Sequence, residues 1–233
     1  MKLKLFITDA LVFFGRNLQQ IAVLCLPWLI TGALVEYLLA IYQKSCGDAP
    51  LTFLSIAFEL LIYPIYTASL IILMARQAQG ELPGNQEVFT KALKRWQPLL
   101  ILRLMESLLI GLGFFMFVLP GLWFAVRLSF AEYFLVLEDL TPIQAMQKSF
   151  LTTKKHWPVI LVLLLVFMVP PAAMMFYLGW TLPDTSQGNA IIAITGTATS
   201  FYFLFVEILI FRVFMSAVKD TPDAPGAIMP NTR

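Results

Sequence analysis

Six apolar runs near bilayer length constrain this chain more than anything else in it. They cover about 19–42, 51–74, 99–119, 121–138, 158–180 and 190–214. A hydrocarbon core asks for roughly 20 apolar residues per helical crossing. Lipid offers the backbone no hydrogen-bond partner, so such runs must be helical. The expected fold is an all-α bundle of six transmembrane helices. Composition agrees: 59% of residues are hydrophobic and 13% charged, against about half and a quarter in soluble domains. Mean hydropathy is +0.81.

The placement of cations predicts an orientation. Lys2, Lys4 and Arg16 precede the first run. Arg76, Lys91, Lys94 and Arg95 lie between the second and third, and Lys148, Lys154 and Lys155 between the fourth and fifth. Arg212, Lys219 and Arg233 close the chain, whereas the alternate loops offer only Lys44. Basic loops stay cytoplasmic, so both termini are expected there. With Asp9 and Arg16 interrupting any signal-like stretch, the first span is expected to be retained. Residues 1–218 read as one integral membrane domain, and 219–233, with three prolines, as a disordered cytoplasmic tail.

Short amphipathic segments accompany the spans. Residues 3–17 read either as a headgroup-level helix or as the start of the first span. In 85–97, Phe89, Leu93 and Trp96 recur at helical spacing. In 141–157, Thr141, Pro142 and Gln144 make a helix start, followed by an Ile143, Met146, Phe150, Trp157 stripe. Each segment precedes an outward span and a returning one, so the chain reads as three helix-hairpin modules. Pro120-Gly121 separates the third and fourth runs and predicts a hairpin turn there. Lys91, Lys94, Arg95, Lys148, Lys154 and Lys155 are candidate contacts for anionic lipid headgroups. The alternative is that they only seat the bundle.

Besides Arg212 near an inner end, seven ionisable residues lie at membrane depth: Glu36, Glu59, Arg103, Glu106, Arg127, Glu132 and Glu207. A central charge costs roughly 2.5–3.5 kcal/mol on insertion scales. Helical counting puts Arg103, Glu106, Glu132 and Glu207 in the cytoplasmic half and Glu36, Glu59 and Arg127 nearer the outer half or the middle, which predicts an inner cluster around Arg103 and an outer one around Arg127. Two roles stand open, a polar pathway or ion pairs that fix packing. No Ser/His/Asp arrangement is visible, and one histidine with two distant cysteines makes no zinc site. No cofactor, metal or catalytic set is expected, and a net charge of +2 spread over short loops does not suit nucleic acid.

Leu119-Pro120-Gly121-Leu122, Val126-Arg127-Leu128, Val136-Leu137-Glu138, Ala145 to Phe150 and Lys155-His156-Trp157 resemble the YciC-like bacterial inner-membrane family. They also resemble the membrane domain attached to some glycerophosphodiester phosphodiesterases. Asp9, Phe13-Phe14 and Arg16-Asn17 fit the YciC-like pattern too. The resemblance implies a six-span protein of the bacterial cytoplasmic membrane and supplies no catalytic residues. No phosphodiesterase activity is expected. Two functions follow as expectations: a non-enzymatic accessory protein contacting anionic lipid or a membrane partner, or a transporter or lipid translocator using the buried Glu and Arg residues.

Overall fold

The computed structural model describes residues 2–46, 48–182 and 185–219, and the fold is all-helical, with no strand among them. The elements are α1 (Lys2–Cys46), α2 (Asp48–Ala78), α3 (Asn85–Met116), α4 (Val118–Leu128), α5 (Ala131–Glu138), α6 (Pro142–Thr153), α7 (Trp157–Thr181) and α8 (Ser186–Lys219). Six segments are long and apolar enough to cross a membrane: Phe6–Leu39, Phe53–Ala78, Asn85–Met116, Val118–Glu138, Trp157–Thr181 and Ala190–Lys219. The protein is a multi-pass membrane protein. The tail beyond Lys219 falls outside the described residues.

Two amphipathic segments are helical as expected but are continuous with the spans they precede. Residues 3–17 run into the first span without a break, and 85–97 run into the third through Pro98. Packing explains the first case. Ala10 is fully buried, Phe14 meets Phe201 and Phe205 edge-on, and Arg212 lies 5.1 Å from the centroid of the Phe13 ring. These contacts tie α1 to α8 rather than to headgroups. The third amphipathic segment does stand apart, as α6, ending at Thr153. Trp157 therefore opens α7 and does not extend the α6 stripe. At the α6 start, Gln144 Oε1 accepts from the Thr141 N–H at 3.1 Å and from its hydroxyl at 2.9 Å.

The α3–α4 hairpin turns three residues earlier than Pro120-Gly121. Its turning residue is the extended Phe117, and Pro120 occupies the first turn of α4, where a missing N–H costs nothing. Gly121 serves packing. A Cβ on Gly113 would sit 2.8 Å from the Gly121 Cα, so the two helices cross backbone to backbone.

An aromatic cluster joins α5 to α8. Phe130, just before α5, and Tyr133 and Phe134 within it pack edge-on or tilted against Phe211 and Phe214 of α8. Around this pair, α8 lies against α1 and α7, α1 against α2, α2 against α3, and α3 against α4. The link between α2 and α3 is fastened to α1. Gln20 donates to the Pro83 carbonyl at 2.8 Å and accepts from Gln77 at 3.2 Å.

Candidate functional site

The break between α4 and α5, at Ser129 and Phe130, sets the position of the polar centre. A break at membrane depth leaves backbone groups without helical partners, which is tolerated only where protein supplies others. Here α6 supplies them. Ser149, fully buried, accepts the Phe130 N–H at 3.2 Å and donates to the Arg127 carbonyl at 2.6 Å. Thr153 donates to the Ser149 carbonyl at 2.7 Å and approaches the Arg127 carbonyl at 3.4 Å. The break therefore places Glu132 in the first turn of α5, facing inward.

Around Glu132 the structure gathers four of the seven sequence-predicted residues. Arg103 of α3 lies 3.8 Å from Glu106 and 3.7 Å from Glu132. Both separations exceed a direct N–H···O hydrogen bond. Its guanidinium instead rests 4.3 Å from the centroid of the Tyr63 ring, a cation–π contact. The Tyr63 hydroxyl donates to Glu132 Oε2 at 3.1 Å. From α8, Glu207 Oε2 accepts from the Tyr133 hydroxyl at 2.8 Å, and the Glu207 carbonyl does so at 3.0 Å. Glu132 Oε1 is buried and has no hydrogen-bond partner among the described residues.

These groups form the polar end of a cavity of about 410 Å³. Its other end is apolar, with Ile110 and Phe114 from α3, Leu122 and Ala125 from α4, and Leu165, Met168 and Val169 from α7. Phe114, Met168 and Val169 are 46%, 39% and 52% exposed. The rim of the cavity thus belongs to the lipid-facing surface between the α3–α4 hairpin and α7.

The remaining predicted residues lie elsewhere. Glu36 and Glu59 line a smaller cavity of about 220 Å³ with Trp28, Ser55, Tyr66 and Thr197. Arg127 joins neither set, and no outer cluster forms around it among the described residues. Helical counting ran α4 and α5 together as one straight rod, while the break redirects Arg127 toward α6, where its Nη1 donates to the Phe150 carbonyl at 3.2 Å.

Three of the six candidate headgroup contacts are engaged within the protein. Lys91 pairs with Glu87 at 2.6 Å, Arg95 with Asp139, and Lys148 with Glu138. Lys94, Lys154 and Lys155 are exposed. The tyrosines of the centre, Tyr63 and Tyr133, escaped sequence reasoning. The available signal was a phenol placed mid-span, away from the interfaces where tyrosine usually gathers.

No group of three or more metal-ligating side chains occurs among the described residues. No curated protein and no solved structure matches the chain. A family model described as a domain of unknown function, DUF7847, matches residues 52–220. That stretch holds the whole cavity lining, from Tyr63 to Ile210. Since the match takes in most of the sequence and all of the polar centre, the chain belongs to the DUF7847 family.

Proposed function

We propose that the protein is a non-enzymatic membrane carrier, a transporter or lipid translocator, for an amphiphile with a cationic or zwitterionic head. The observation that carries this reading is Glu132 Oε1, buried without a hydrogen bond and with Arg103 no nearer than 3.7 Å, in a cavity that reaches the lipid-facing surface. A buried charged group without a hydrogen bond is costly, and a bound ammonium removes that cost. Three carboxylic groups face one guanidinium, so the site holds more acids than its single cation can pair. Arg103, loosely held by its acids, is placed to meet a phosphate, and Glu132 or Glu106 to meet an amine. The apolar end accommodates acyl chain.

The reading places the protein in a bacterial cytoplasmic membrane with both termini cytoplasmic. Loop cations and the YciC-like resemblance of residues 120–157 support that placement. The packing-only alternative draws less support, because carboxylates that merely fixed the bundle would be within hydrogen-bond reach of Arg103. The test uses the full chain in phosphatidylcholine proteoliposomes with tail-labelled phosphatidylethanolamine. Glu132→Gln is expected to slow exchange between leaflets about tenfold, as for loss of one charge-assisted contact, while elution and helicity stay unchanged. Exchange as fast as wild type, or loss of folded protein in step with loss of exchange, returns Glu132 to a packing role.

A further inference from the structure

We infer a second site, independent of the cavity: an anionic phospholipid docks in the groove between α4 and the start of α7, with its phosphate on Arg127. The groove encloses about 670 Å³ and is lined by Leu119, Leu122, Trp123, Arg127, Trp157 and Leu161, among others. Arg127 is the only charged residue among the described residues that line it. Its Nη1 is spent on the Phe150 carbonyl, but its Nε is buried with no hydrogen-bond partner among the described residues. A guanidinium edge left in this state matches a phosphate oxygen in charge and geometry.

The surroundings favour a lipid over a free anion. Trp123 and Trp157 are 50% and 49% exposed and flank the groove, and Leu119 is 78% exposed. Indoles of this kind sit at headgroup level, with ring against chain and N–H toward water. The Arg127 guanidinium lies 5.6 Å from the centroid of the Trp123 ring, which holds it at the groove. Just beyond, the α6–α7 turn presents Lys154 and Lys155, both exposed. The turn follows Thr153, whose hydroxyl is 3.4 Å from the Arg127 carbonyl, so the turn lies next to the end of the groove that Arg127 occupies. The groove is thus apolar along its length and positive at one end, the complement of a phospholipid with net negative charge.

The experiment is native mass spectrometry of the full-length protein in mild detergent, with phosphatidylglycerol and phosphatidylcholine as probes. Phosphatidylglycerol is expected to be retained and phosphatidylcholine lost. Arg127→Gln should lower phosphatidylglycerol retention about tenfold. Because Arg127 also holds the Phe150 carbonyl, the double variant Lys154→Gln/Lys155→Gln is a second measurement at exposed side chains. It should weaken retention severalfold, in keeping with the attraction of surface lysines for anionic headgroups. Millimolar inorganic phosphate should leave the lipid bound. Displacement by phosphate alone, equal retention of both lipids, or a folded Arg127→Gln protein that keeps phosphatidylglycerol like wild type overturns the site.

Discussion

At the scale of single residues, the polar centre is held by phenols as much as by opposite charge. Tyr63 and Tyr133 orient Glu132 and Glu207, while Arg103 remains beyond hydrogen-bond distance of its acids. Hydrogen bonds between membrane helices contribute about 0.6 kcal/mol on average, and up to about 1.7. Tyr133→Phe should therefore cost about 1 kcal/mol in a detergent unfolding titration, since Glu207 then loses a donor at its carboxylate and at its carbonyl. A titration midpoint identical to wild type would mean that Glu207 is held by other groups. The carboxylates and Arg103 were legible in the sequence because a charge inside an apolar run stands out. Their phenolic partners were not, since tyrosine in such a run is also a plain packing residue.

At the scale of elements, α6 is the piece whose role depends most on its neighbours. Its start was readable from Thr141, Pro142 and Gln144, because capping chemistry is local. Its task was not readable. Ser149 and Thr153 look like ordinary polar positions of an amphipathic helix, yet they complete the backbone of the α4–α5 break. Ser149→Ala should leave the Phe130 N–H unpaired inside the protein and the Arg127 carbonyl with only the Thr153 hydroxyl at 3.4 Å. The expected loss is about 2 kcal/mol, read as faster backbone amide exchange at 127–131 than in the rest of α4 and α5. Exchange that rises evenly across the bundle would contradict a local role for the hydroxyl. The α3–α4 hairpin teaches a similar lesson. Pro120-Gly121 correctly marked a turn, but Phe117 makes it, and Gly121 is needed because Gly113 crosses it at contact distance.

At the scale of the whole molecule, the antiparallel contact of α1 with α8 sets Phe13 beside Arg212, so the two ends of the chain's helical body lie at the same end of the bundle. In a variant with Cys25 and Cys46 replaced by serine, a cysteine at Leu82 or Lys219 should react with an impermeant maleimide only from one side of a sealed membrane. A cysteine at Thr181 should react only from the other. Labelling of all three from one side would break the six-crossing topology. That six helices are long and apolar enough to cross was decided by the sequence alone: apolar length and helix formation forced by lipid are properties of consecutive residues, and no tertiary contact is needed to read them. Helical counting already grouped Arg103, Glu106, Glu132 and Glu207 at one depth; only the packed structure decided that they line one cavity, that Arg127 turns away to a separate groove, and that 3–17 and 85–97 continue the spans. The physical reason is that rotation and depth of a membrane helix are fixed by the neighbours it packs against, and a break such as that at Ser129 and Phe130 changes both.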